Sequence, residues 1–322
     1  MAAGRPFRSW SVLYEPRNPD LCGSTRLHQA VERDGRCRRS TTVGPRLLFY
    51  GPTGGRNVLA QFPEASKETA LGTWKPYGGH RLWVWPEVFP ATYAPDNETI
   101  EHTAEGDFGL LLRQPVDKAG MQKQMRVSMS PEGTTVRVEQ TVTSHNLWPV
   151  DIAAWGISVV EPGTSIVPRV PFQTHDDYVP VTQPVALCAF TDLQDTRFTL
   201  GLKYLLLRGD PSRSSSQKLG LRNKQGWCAH LVDNLLFVKR FSHDDRAEYP
   251  DYGVNTEVYT EGRFQELELL GPHRVVATGE SLTLTEEWNL FTDLELPSPQ
   301  NLDLLDAAIG PRIRSLFEGT GA

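Results

Sequence analysis

The sequence predicts one large all-β domain, a sandwich of many short strands, with short helices only at the C-terminus. Three observations predict it. Glycine and proline number 27 and 24 of 322 residues, about 16 % together against an average near 12 %, so turns are plentiful. Period-two alternation recurs, as where Val136, Val138, Gln140 and Val142 alternate with Arg137, Glu139 and Thr141. Turn signals separate such runs at intervals of about 8–12 residues, the spacing of sandwiches and barrels. The hydrophobic share of 39 % is enough for a substantial core and excludes wholesale disorder.

The elements follow in chain order. Residues 1–42 read as an irregular N-terminal segment packing on the sandwich, 43–296 as the sandwich domain, and 297–322 as a C-terminal helical tail. Residues 46–50 form a short apolar run ended by Gly51-Pro52 and Gly54-Gly55, both turn signals. Residues 121–129 and the alternating run from Val136 are joined by Ser130-Pro131-Glu132-Gly133 as a hairpin. Residues 152–160 read as a buried strand stopped at Glu161-Pro162-Gly163. Residues 211–217, rich in serine, read as a flexible loop. Residues 227–232 and 235–241 flank the tight turn Asp233-Asn234, and 254–259 and 264–270 flank Thr260-Glu261-Gly262-Arg263. Leu282, Leu284, Glu286, Trp288 and Leu290 alternate with polar neighbours. Only residues 301–309 and 312–317 read as helical.

Charge and cysteine usage narrow the function. With Lys+Arg 33 and Asp+Glu 39 the net charge is −6, which argues against a general polyanion binder, so no nucleic-acid partner is expected. No apolar run approaches the roughly 18 residues of a membrane span, and no secretory h-region follows Met1, so no membrane partner is expected and the cytoplasm is the default location. Cys22, Cys37, Cys188 and Cys228 form no C-x-x-C pair and read as free thiols. No phosphate-loop, dinucleotide or G-x-S-x-G fingerprint is present, so no cofactor is expected.

The densest chemistry lies in Trp74-Lys75-Pro76-Tyr77-Gly78-Gly79-His80-Arg81-Leu82-Trp83-Val84-Trp85-Pro86-Glu87. Sugars are held by such residues. Their C–H faces stack on aromatic rings and their hydroxyls take Arg and Glu as partners. The alternative reading is a Trp-rich core strand after a glycine turn. A second candidate is Gly253-Val254-Asn255-Thr256-Glu257-Val258-Tyr259, where strand periodicity puts Asn255, Glu257 and Tyr259 on one face, with Glu257 a base or hydroxyl acceptor. Its alternative is a solvent-facing polar face. A third is Lys239, which shares a face with Phe237 and Phe241 and either snorkels at an edge or enters a lined pocket. His175-Asp176-Asp177 and His243-Asp244-Asp245 resemble metal ligands, but adjacent strand residues point apart, so loop polarity is the reading and no metal is expected. Glu266 and Glu268 share a face two residues apart, and Glu286 and Glu287 are adjacent. Such pairs read as alternating surface carboxylates rather than a hydrolytic pair.

Several strings together resemble a known group: Val43-Gly44-Pro45-Arg46, Tyr77-Gly78-Gly79-His80-Arg81-Leu82-Trp83, Leu147-Trp148-Pro149-Val150, Phe237-Val238-Lys239-Arg240-Phe241 and Glu266-Leu267-Glu268-Leu269-Leu270-Gly271-Pro272. They are similar to an uncharacterised bacterial family of the galactose mutarotase-like (aldose 1-epimerase-like) carbohydrate-binding superfamily. The resemblance spans residues 43–290. It implies a large antiparallel β-supersandwich with a saccharide ligand in a concave cleft. It also implies acid–base interconversion of sugar anomers, in which a carboxylate takes the anomeric proton and a His protonates the ring oxygen. On that resemblance Glu257 is the base and His80 the acid or binder. Arg81 and Lys239 are anchors, Trp83 and Trp155 are platforms, and Tyr77 and Glu87 are further sugar contacts. The stretch Asp151-Ile152-Ala153-Ala154-Trp155-Gly156 departs from the pattern, because mutarotases carry their acidic His there. His145 and His175 lie before and after it. A carbohydrate-binding module without catalysis, and a glycoside hydrolase or lyase on the same scaffold, are the alternatives. The four residues His80, Arg81, Glu257 and Lys239 are expected to line one cleft.

Overall fold

Alternating strands pair first with their chain neighbours. Met121–Met129 and Val136–Ser144 pair antiparallel through all nine positions, and Trp227–Val232 and Leu235–Phe241 meet across a turn in which Asp233 has φ 51°. Thr256–Thr260 and Gln265–Leu270 form a third hairpin. The computed structural model describes residues 43–52, 54–171, 182–292, 294 and 301–318, and the backbone alone of 10–11, 30–32 and 35–37. The readings of the rest of residues 1–42, of the Cys22 and Cys37 thiols and of the triplet His175-Asp176-Asp177 lie outside the described residues.

The hairpins assemble into two antiparallel sheets. The 10-stranded sheet runs Glu101–Glu105, Gly109–Arg113, Met121–Met129, Val136–Ser144, Ser281–Phe291, Leu235–Phe241, Trp227–Val232, Thr164–Pro168, Tyr204–Arg208, Phe198–Leu200. The 8-stranded sheet runs Val185–Leu187, Gln217–Leu221, Thr256–Thr260, Gln265–Leu270, Val150–Val160, His80–Trp85, Arg46–Leu47, and Arg274–Val276 pairs with the start of Val150–Val160. The inner faces interlock through Leu82, Val142, Ile152, Ala154, Leu219, Leu267 and Leu284 in one cluster, and through Tyr50, Val58, Phe237 and Trp288 in another. Strand parity then fixes which residues face out. On His80–Trp85 the set His80, Leu82 and Val84 points to the facing sheet, and Arg81, Trp83 and Trp85 point away.

The two helical stretches read from the sequence are one helix, Leu302–Ser315, with Pro311 inside it. The Asn301 side chain accepts from the N–H groups of Asp303 and Leu304 and caps its start. An interior Pro costs about 3 kcal/mol or more. Leu305, Ile309 and Ile313 are buried against Tyr204, Leu206, Trp227 and Leu236 on the outer face of the larger sheet. At about 1.5–3 kcal/mol for each fully buried side chain, that contact outweighs the break. Among the described residues no helix is long and apolar enough to cross a membrane.

Candidate functional site

The outer face of the 8-stranded sheet gathers the chemistry. Register sets its rows. Arg81 lies opposite Ile157, Ile157 opposite Glu268, Glu268 opposite Glu257, and Glu257 opposite Gly220. One step along, Trp83 lies opposite Trp155 and Trp155 opposite Leu270. Gly220 leaves room for the Glu257 carboxylate, since a Cβ there would sit 3.0 Å from its Oε1.

Two like charges on directly opposed residues repel. Lys218 resolves the conflict. Its ammonium donates to Glu257 Oε2 at 2.8 Å and to Glu268 Oε2 at 3.0 Å, and it lies over the Trp155 ring at 4.9 Å. Trp155 Nε1 also donates to Glu268 Oε2, at 2.9 Å. Arg81 donates to Glu266 Oε1 at 3.1 Å and stacks its guanidinium 4.5 Å from the Trp83 centroid. Trp74, Trp83, Trp155 and Tyr93 form a chain of tilted and edge-on rings around it.

Electrostatics single out Glu257. The carboxyls of Glu257, Glu266 and Glu268 share the cations of Lys218 and Arg81. Burial pushes the Glu257 carboxyl up, Lys218 opposes this, and Glu268 and Asp251 add to it, leaving it at about 7. Burial also raises Glu266, against the pull of Arg81. Burial alone would lower Lys218, but Glu268 and Glu257 outweigh it and hold the ammonium well above its ordinary value. The two results agree because one ammonium is divided between two carboxylates.

A strained turn borders this cluster. Asp251 and Tyr252 adopt φ 49° and 67°, left-handed values that non-glycine residues rarely take. Asp251 accepts from Trp85 Nε1 at 3.1 Å, and Tyr252 stands 96 % exposed. Cys188 is half-buried and feels the charges of Lys218, Glu257, Glu268 and Asp251.

The structure divides the residues expected to share one cleft. Glu257, Arg81, Trp83 and Trp155 meet on the outer face. Tyr77 lies at its margin, with its ring 5.5 Å from the Arg46 guanidinium, and the exposed Glu87 accepts from Tyr93. His80 and Lys239 do not join them. Both are fully buried between the sheets. His80 Nδ1 lies 2.9 Å from Ser158 Oγ and its Nε2 2.9 Å from Gln140 Oε1. Gln140 Nε2 donates to Glu286 Oε1 at 2.9 Å, Trp288 Nε1 to Glu286 Oε2 at 2.8 Å, and Lys239 pairs with Glu286 at 3.0 Å. The physical reason is strand parity: His80 and Arg81 are adjacent, so their side chains leave opposite faces of the sheet. Burial holds His80 down at about 4, neutral at ordinary pH. The Lys239 ammonium also donates to the carbonyl of Leu267, between Glu266 and Glu268.

Glu266 and Glu268 are not the surface carboxylates read from their alternation. Glu268 is fully buried, with Glu266 bound to Arg81 beside it. Sequence reasoning also missed Lys218 and Asp251. Lys218 sits in an ordinary alternating strand and nothing local marks it. Asn255 precedes its strand and leaves the alternation, its side chain bonding Asn223.

Solved structures share this architecture. A provisionally assigned mutarotase (YeaD) from Salmonella typhimurium matches at TM-score 0.51 and 12% identity, over 80% of this chain and 88% of that one. A TPR-domain containing protein from Parabacteroides distasonis matches at TM-score 0.52 and 13% identity, over 81% of this chain and 46% of that one. A galactose mutarotase-like protein from Lactobacillus casei matches at TM-score 0.46 and 10% identity, over 83% of this chain and 100% of that one. No protein-family model and no curated protein sequence matches the chain. At these identities the likeness concerns the fold: the chain has the galactose mutarotase-like β-sandwich.

Proposed function

We propose that the outer face of the 8-stranded sheet binds a saccharide and that Glu257 acts as general base on its anomeric hydroxyl, the chemistry of an aldose 1-epimerase. The observation that carries this reading is Glu257 itself, a buried carboxyl at about 7 beside Lys218. A base works best when its pKa lies near the working pH. Trp83 and Trp155 supply the aromatic lining of this face, and the Nε and Nη1 donors of Arg81 have no partner among the described residues. The provisional assignment of the similar Salmonella typhimurium structure as a mutarotase agrees with it.

One observation favours a second reading, a binding module without turnover. Epimerisation also needs a proton for the ring oxygen. The donors beside Glu257 are Lys218, held well above its ordinary value, and Tyr259, raised by burial. Both hold their protons too tightly to give them up readily near neutrality. Glu257→Gln separates the readings, since Gln keeps the shape but takes no proton. Anomer interconversion is followed by polarimetry or by NMR of the anomeric protons, against the spontaneous background. A base at Glu257 predicts a fall in turnover of roughly 10²–10⁴-fold with much smaller change in sugar binding. Wild-type rates at background across common aldoses would leave the binding module. Full activity in the Gln variant would remove Glu257 from the mechanism.

A further inference from the structure

We infer that two copies of this chain associate through the edge strand Val185–Leu187, which pairs antiparallel with itself about a two-fold axis at Ala186. The strand takes no part in the proposed sugar chemistry.

The core runs out uncovered at this edge. Leu267 lies opposite Val258, Val258 opposite Leu219, and Leu219 opposite Leu187. Directly opposed residues share a sheet face, and the first three are buried between the sheets. Leu187 shares their face yet is 50 % exposed. In the next row Leu221 is buried, and Val185 opposite it is 53 % exposed. Tyr204–Arg208 packs against Thr256–Thr260, so Phe198–Leu200 ends the 10-stranded sheet on the same side of the sandwich. There Leu205 is buried, and Leu200 opposite it is 53 % exposed. Six of the fifteen large apolar side chains exposed among the described residues fall within residues 185–202, a patch rather than the usual scatter.

The backbone at this edge is open as well. The Arg222 N–H donates to the Pro184 carbonyl at 3.2 Å, so Pro184 turns its backbone toward Gln217–Leu221. Alternation along an antiparallel ladder turns Ala186 the same way and aims the N–H and C=O of Val185 and Leu187 at the free edge. Pro184 therefore does not block that edge. Strands that must stay unpaired are usually guarded by charge or covered. At the far edge of the 10-stranded sheet, Glu101–Glu105 carries exposed Glu101 and Glu105, and at the far edge of the 8-stranded sheet Arg46–Leu47 is buried. Residues 182–191 hold no charged side chain.

An uncharged edge selects its partner. Nothing in it complements an acidic or a basic peptide, whereas in a chain of net charge −6 a neutral patch meets its own copy without repulsion. Pairing about Ala186 is also in register. Val185 comes opposite Leu187 of the second copy and exchanges N–H and C=O bonds with it, and the two-fold repeats the exchange. Both residues keep their inward parity, so the row from Leu219 through Leu187 continues into Val185 and Leu221 of the second copy. One contact then satisfies the free backbone groups and covers the half-exposed apolar side chains.

Sedimentation velocity of the full chain over a range of concentrations reads the association, and the mass is expected to approach twice the 36.0 kDa of the chain. Leu187→Lys is expected to weaken association about tenfold or more, because dimerisation would bury the new ammonium. In the single chain its stem can lie along the edge with the charge in water, so the variant is expected to fold. Leu147→Lys, at a side chain 88 % exposed in the turn before Val150–Val160, is the control and is expected to leave association unchanged. Hydrogen exchange of the wild-type dimer gives a readout that needs no substitution: the amides of Val185 and Leu187 are expected to be protected, whereas open edge amides exchange freely. A chain that stays at 36.0 kDa at every concentration would overturn the inference and hand the edge to a different partner. A dimer as tight in Leu187→Lys as in the wild type, one that Leu147→Lys dissociates equally, or free exchange at both amides within the dimer would place the interface elsewhere and overturn it too.

Discussion

Lys239→Met probes the polar knot between the sheets. Met preserves the length and most of the volume of the Lys stem, so no cavity opens, but the ammonium is gone. Glu286 and Lys239 are both 0 % exposed, so neither solvent nor salt screens their 3.0 Å pair. Glu286 keeps Gln140 and Trp288 as donors and loses Lys239, the one full positive charge paired with it among the described residues, His80 being neutral. Removing one partner of a buried pair costs about 3–5 kcal/mol. The cost depends on pH in a definite direction. Burial alone would raise the Glu286 carboxyl, and Lys239 is the chief reason that it lies below its ordinary value. Without Lys239 burial prevails and the folded pKa rises above the unfolded one. The folded state then binds a proton that the unfolded state has released, so the penalty grows as pH rises from the unfolded value through the new folded value, by at most about 1.4 kcal/mol per pH unit. Denaturant unfolding of wild type and variant at pH 5 and pH 8 reads both the size and the slope. The double variant Lys239→Met/Glu286→Gln removes both charges, and it is expected to recover most of the loss and all of the added pH dependence. A single-variant cost below about 1 kcal/mol at pH 8, or a double variant as unstable as the single, would refute the reasoning.

Two further outcomes follow from the same interior. Gly156→Ala places a Cβ 2.2 Å from Glu286 Oε1 and 2.7 Å from Gln140 Nε2. Because both atoms are held by other bonds, the substitution is expected to cost about 1–3 kcal/mol by thermal or denaturant unfolding, and a neutral effect would contradict it. Burial holds His80 and His230 at about 4, so between their unfolded value near 6.5 and that point the unfolded chain takes up protons which the folded chain refuses. Their contribution is therefore lost on acidification through that window, by up to about 3 kcal/mol each. Glu257 acts in the opposite sense, its contribution fading as pH rises from its ordinary value through about 7. NMR titration of the His80 ring is the direct check, and titration near 6.5 would contradict the buried placement.

Local sequence determined the strands and their hairpins. The alternation from Val136, the Asp233-Asn234 turn and the run to Leu290 each became the strand they read as, because a half-buried strand writes its period of two into the chain. It also determined which residues share a strand face: Phe237 with Lys239, and Glu266 with Glu268. It did not determine which of the two faces meets the other sheet. That choice sent Lys239 and His80 inward to Glu286 and sent Glu266 and Glu268 outward to Arg81 and Lys218. The partners are far apart in the chain. Lys239 reaches Glu286 only because Leu235–Phe241 pairs with Ser281–Phe291, and Lys218 reaches Glu268 only across the strand between them. A buried charge looks like a surface charge in sequence, since burial belongs to the assembled sheets and not to the residue. Glu257, the base of the proposed reading, was singled out from its strand alone, whereas its value of about 7 depends on burial and on Lys218, Glu268 and Asp251, which only the folded register brings beside it.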